Sequence, residues 1–154
     1  MIKILYVAPD VIPSKRANSV HVVKMANALT HLGVDVTVIA PVNRKQSASS
    51  THLESLYGEI NFRFKPIYRH QFKGARIIWT IKVLIYSWRN GFNKLYSRDL
   101  LTASLSSLFK ENTIFEFHKP LKPTREYNFI TAYLVARMIN NEKLVTVAIT
   151  KALK

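Results

Sequence analysis

The sequence predicts an α/β domain of the doubly wound, Rossmann-like kind with a mainly parallel sheet. Three observations carry that expectation. Short valine- and isoleucine-rich runs alternate with helical patterns from end to end. The first such run, "IKILYVAP" (2–9), is almost continuously apolar, as a strand covered on both faces must be. Strand, helix and second strand fit within the first 41 residues, the length of one βαβ unit, whose crossover is expected to be right-handed.

The elements follow in order. In "NSVHVVKMANALTHLG" (18–33), Val22, Met25, Ala26, Leu29 and Leu32 share one helical face. Asn18 or Ser19 can cap its start, and Gly33 stands where a left-handed residue ends a helix. "VDVTVIAP" (34–41) is the second strand. The polar, serine-rich 42–59 reads as a surface loop with one helical turn near 52–57. "INFRFKPI" (60–67) alternates apolar and basic residues and holds Pro66, which suits an edge strand. The most apolar segment, 73–92, is broken by Arg76, Lys82 and Arg89 and is too short to span a bilayer. It is either a buried helix with a broad apolar face or a basic, Trp-bearing helix at a membrane surface. A short strand (93–99), a helix (100–112) capped by Asp99, and a strand (113–123) that stops at His118 come next. A helix over 124–141, capped by Thr124, and a strand over 143–150 complete the pattern.

The chain has 154 residues, 48% hydrophobic, which fits one domain with a substantial core and excludes the disordered class. It has no cysteine, so disulfides and thiolate metal sites are excluded. The N-terminus reads as a first strand and not as a signal peptide. A formal charge of +14 implies attraction to something anionic: nucleic acid, an acidic membrane or a phosphorylated small molecule. The basic residues are dispersed, with no concentrated stripe or aromatic–glycine motif, so nucleic acid is the weaker of these.

In a sheet of this kind, ligands bind beyond the carboxyl ends of the strands. Dinucleotide, P-loop and serine-hydrolase glycine motifs are absent, and the five histidines show no metal spacing. The polar residues that fall on the expected rim are those of the loop after the first strand, of "YSRD" (96–99) and of "FEFH" (115–118). Ser14, Lys15, Arg16, Asn18, Ser19 and His21 form either a lip for a phosphate or a helix cap with ordinary surface charge. Alternation puts Glu116 and His118 on one side of their strand. His118 could donate to a hydroxyl or phosphate, or be satisfied by backbone groups. Arg98 and Asp99 reach the rim or brace a turn.

Together, "KILYVAP", "SVHVVKMANAL", "GVDVTVIAP", "LYSRDLL", "IFEFH" and "LVTVAITKALK" resemble the N-terminal half of the family-4 glycosyltransferases, retaining enzymes of the GT-B fold. The resemblance implies an acceptor-side Rossmann-like domain over 1–154, with a nucleotide-sugar domain to be supplied separately and little activity from this chain alone. It implies transfer of a sugar from a nucleotide-sugar donor to a saccharide or lipid-linked acceptor, in cell-surface polysaccharide or glycolipid synthesis. It carries His118 over as the catalytic histidine beside the transferred sugar. Ser14, Lys15, Arg16, Asn18, Ser19, His21 and Arg98 become acceptor- or phosphate-binding residues. The family's paired glycines are missing from the loop, which leaves contact with phosphate to its side chains. No cofactor or metal is expected beyond the donor itself. The implied location is cytoplasmic, with the inner face of the membrane as a peripheral site. The alternative is a basic α/β module that binds anionic membrane or nucleic acid without catalysis.

Overall fold

The computed structural model describes residues 1–42, 50–72, 74–109, 112–117, 133, 136, 137 and 144–148. The described strands are β1 (Lys3–Val7), β2 (Asp35–Val42), β3 (Arg63–Tyr68), β4 (Lys94–Ser97), β5 (Thr113–Phe117) and β6 (Leu144–Ala148). Between them run α1 (Ala17–His31), α2 (Ser50–Tyr57), α3 (Ala75–Arg89) and α4 (Leu100–Phe109). The six strands form one sheet in the order β3-β2-β1-β4-β5-β6, and every pairing is parallel. The doubly wound α/β expectation is met.

Side chains on alternate residues explain how two layers share one sheet. Ile4, Tyr6 and Ala8 of the first strand and its exit face one way, with Val36, Val38 and Ala40, and pack against Val22, Val23 and Ala26 of α1 and Leu53 of α2. Leu5 and Val7 face the other way, with Ile39 and Leu95, and pack against Trp79 and Val83 of α3. Each large apolar side chain so buried stabilises the fold by about 1.5–3 kcal/mol. The central β1 is therefore buried from Ile4 to Val7, whereas β3, at the edge with Pro66, exposes Arg63 and Lys65.

Several local expectations shift. α1 begins at Ala17 with Arg16 in the capping position, and no side chain caps it, so neither Asn18 nor Ser19 has that role. Both are inside the first turn. Leu32, expected on the apolar face, lies past the helix end and is exposed. Gly33 does close the helix: at φ 79° its N–H reaches Thr30 O at 2.9 Å while Val34 N–H reaches Leu29 O at 3.2 Å. The polar stretch after β2 contains a helix longer than the single turn expected. Asp99 caps α4 as expected, its Oδ2 accepting from Thr102 N–H at 2.9 Å and from the Thr102 hydroxyl at 2.7 Å. Most of the helix expected over 124–141, with its Thr124 cap, lies outside the described residues.

Candidate functional site

The strand order reverses between β1 and β4, and the loops leaving their carboxyl ends diverge there to opposite faces. Such a switch point opens a crevice. Two groups of charged side chains occupy the rim around it.

One group is closed. Glu116, on β5, is 1% exposed. Its Oε2 accepts the hydroxyls of Tyr96 at 2.9 Å and Tyr6 at 3.2 Å. Its Oε1 lies 3.0 Å from His21 Nε2 and 3.2 Å from Arg98 Nε. The register sets Tyr6 opposite Tyr96, and their rings meet edge to face with centroids 4.7 Å apart. Burial, then the neighbouring Glu116 charge, pushes both phenols well above the ordinary tyrosine range. Arg98 is buried too, and its Nη1 donates to Asn18 O at 3.4 Å, tying the loop after β4 to the start of α1. Asn18 Nδ2 in turn bonds the Asp10 carboxylate. His21 stands in the second turn of α1, directed at a carboxylate of its own chain.

The other group is open. A cavity of about 420 Å³ is lined by Pro9 and Asp10 after β1, by Arg69, His70 and Phe72 after β3, by Ala75 and Arg76 at the start of α3, and by Asp99 after β4. Arg76 Nε donates to Asp99 Oδ1 at 3.1 Å, and its Nη2 bonds the same oxygen. Arg69 Nη1 donates to Pro9 O at 3.2 Å and has no carboxylate partner among the described residues. His70 packs between the rings of Tyr68 and Phe72, at centroid distances of 4.7 and 5.5 Å. Gly74, at φ 95°, sits at the capping position of α3, and no side chain caps that helix. The N-terminal turn of α3 therefore lines the cavity with no side-chain cap.

The residues singled out in the sequence fall out as follows. Arg98, Asn18 and His21 come together around Glu116. Ser14 and Ser19 are engaged within the loop: their hydroxyls lie 2.6 Å apart, and Ser14 N–H donates to the Tyr57 hydroxyl at 2.7 Å. Lys15 and Arg16 are exposed on the same loop. His118 lies outside the described residues. Sequence reasoning missed Glu116 as the hub and missed Arg69 and Arg76. A glutamate between Phe115 and Phe117 on a buried strand was the available signal for the first. The arginines gave none, since both stand in surface-like contexts. Among the described residues, no group of three or more acidic or histidine side chains is arranged to hold a metal. No described helix is long and apolar enough to cross a membrane.

No family model matches the chain, and no curated protein matches it by sequence. Among solved structures, it is similar to the nicotinamidase SaPncA from Staphylococcus aureus at 12% identity and a TM-score of 0.49, covering 96% of this chain and 100% of that one. A likeness of this degree assigns no activity to this chain.

The glycosyltransferase expectation is corrected: no family model and no curated protein of that kind matches the chain, and the solved structure found carries the name of a nicotinamidase. The sugar transfer in polysaccharide or glycolipid synthesis, the saccharide or lipid-linked acceptor and the GT-B partner domain rested on that resemblance and are withdrawn with it, and no comparison supports the alternative of a membrane- or nucleic-acid-binding module. The physical reason lies in the motifs. "KILYVAP" and "GVDVTVIAP" record strands buried on both faces, and "SVHVVKMANAL" records an amphipathic helix. Any doubly wound domain has these, so they report burial and not chemistry.

Proposed function

We propose that the crevice at the β1/β4 switch binds a small molecule bearing an anionic group, a carboxylate or a phosphate, beside an apolar portion. The observation that carries this reading is Arg69: a half-buried guanidinium in a concave site, held by one backbone carbonyl, with no carboxylate partner among the described residues. A planar fork of donors so placed suits a carboxylate or phosphate. The uncapped end of α3 adds positive potential on the same wall. Arg76 offsets the charge of Asp99, and Asn18 holds the Asp10 carboxylate by a hydrogen bond. Phe72, exposed at the mouth, offers the apolar surface. Lys15 and Arg16, on the loop that carries Asp10, supply longer-range attraction. In this reading Arg98 and His21, gathered by Glu116, and Asn18, bonded to Asp10 and Arg98, hold the loop in place.

The test is two-dimensional NMR with inorganic phosphate, pyrophosphate and benzoate as probes, at constant ionic strength. Shifts confined to residues near 9–10, 69–76 and 99, lost in Arg69→Ala, are the expected result. Shifts spread evenly over surface lysines, or none from any probe at millimolar concentration, would remove the proposal.

A further inference from the structure

Helix α3 is apolar on two sides. Ala75, Trp79, Thr80, Val83 and Ser87 face the sheet and are buried. On the outside, Ile77, Ile78, Ile81 and Ile85 are 42–52% exposed and Trp88 is 78% exposed. At 3.6 residues per turn, positions 77, 81, 85 and 88 fall within an arc of about 80° and make a continuous stripe. Exposed Lys82 and Arg89 border it on one side. The helix contains no acidic residue.

Helix α4 lies beside α3 and runs parallel to it, since Arg76 meets Asp99 and the Thr80 hydroxyl lies 3.3 Å from that of Thr102. Carried on along both helices, that register sets the exposed Phe109 of α4 at the level of the last turn of α3. Isolated exposed isoleucines need no explanation, whereas a contiguous apolar stripe on a helix does.

Charge selects the occupant. The chain carries 23 basic and 9 acidic residues, so a second copy would bring like charge to a face that is already basic. We infer that the outer face of α3 docks an acidic amphipathic helix of a partner protein. The partner's apolar stripe lies along Ile77, Ile81, Ile85 and Trp88, and its carboxylates meet Lys82 and Arg89. This surface is separate from the crevice and does not depend on the ligand proposed there.

Trp88 reports the contact directly, because Trp79 is already buried. The probes are a synthetic helical peptide with leucines at i, i+4, i+7 and i+11 flanked by glutamates, and its twin with lysines replacing the glutamates. The glutamate peptide should shift Trp88 emission to the blue, weaken with salt and lose its effect in Trp88→Phe. Ile81→Glu should weaken binding about tenfold or more. The double variant Lys82→Glu/Arg89→Glu should prefer the lysine peptide. Both alter exposed positions, and thermal melting verifies that they fold. Equal binding of the two peptides overturns the inference, as does silence toward the glutamate peptide. A blue shift on phosphatidylglycerol vesicles without one on the peptide would assign the face to lipid. Sedimentation as a dimer with Trp88 already shielded would assign it to a second copy.

Discussion

The two charged groups on the carboxyl rim are built from the same residue types and behave differently. Around Glu116, the carboxylate and the Arg98 guanidinium are shut away from water, with His21 part-exposed at the edge. Around Arg69 and Arg76, the guanidinium groups stand in a cavity that solvent enters, and of the charged groups there only Asp99, beneath them, is buried. A buried carboxylate beside a buried guanidinium is costly to disturb, because removal of one leaves the other without water or a counter-charge. An ion pair at the surface is worth little, because water replaces either partner. The closed group therefore fixes the loop geometry, and the open group is able to exchange its contacts for a ligand.

The sharpest way to break this contrast is Glu116→Gln. The shape is kept and the charge is lost, so buried Arg98 is stranded, at a cost of about 3 kcal/mol read as a lower urea midpoint. A loss no greater than that of an exposed substitution would erase the distinction. Asp99→Ala comes next, at about 1–2 kcal/mol, because it uncaps α4 and releases Arg76. Asp99→Asn, which keeps an acceptor for Thr102, should lose less, and equal losses would mean that the cap contributes nothing.

Tyr6→Phe should cost about 1 kcal/mol at neutral pH, as one phenol–carboxylate bond disappears. It also tests the pH dependence. The native phenols of Tyr6 and Tyr96 ionise above the ordinary tyrosine range of about 10, so the folded state holds their protons after the unfolded state has released them. Their contribution is complete below about pH 10 and is lost as pH rises beyond it. Stability measured from neutral to strongly alkaline pH should fall steeply above that point. The fall should be shallower in Tyr6→Phe/Tyr96→Phe, and identical slopes would sink the assignment. Smallest in stability, at about 0.5 kcal/mol or less, is Arg69→Ala, which touches only one backbone carbonyl. Its mark should instead be the loss of anion binding, and retained binding with lost stability would reverse the roles given to the two groups.

What was legible in the sequence was what neighbours in the chain decide. The apolar run at β1, the 3.6-residue period of α1, Gly33 at its end and Asp99 at the start of α4 all act within a few residues of themselves, and all are where the sequence placed them. Arg16 in the capping position shows the limit even there. Asn18 and Ser19 are good caps in isolation, but Asn18 is drawn to Asp10 and Ser19 to Ser14, contacts that exist only once the loop is folded.

By itself, then, the sequence determined a parallel α/β layer structure with an edge strand at Pro66, because burial on one or two faces is written in periodicity. Only the tertiary structure decided which charges meet. Tyr6 reaches Glu116 across 110 positions of chain, and Arg76 reaches Asp99 across 23, when β1, β4 and β5 close into one sheet. Periodicity carries no record of such pairings. The energy that fixes them arises when the strands exclude water between residues that the sequence keeps apart.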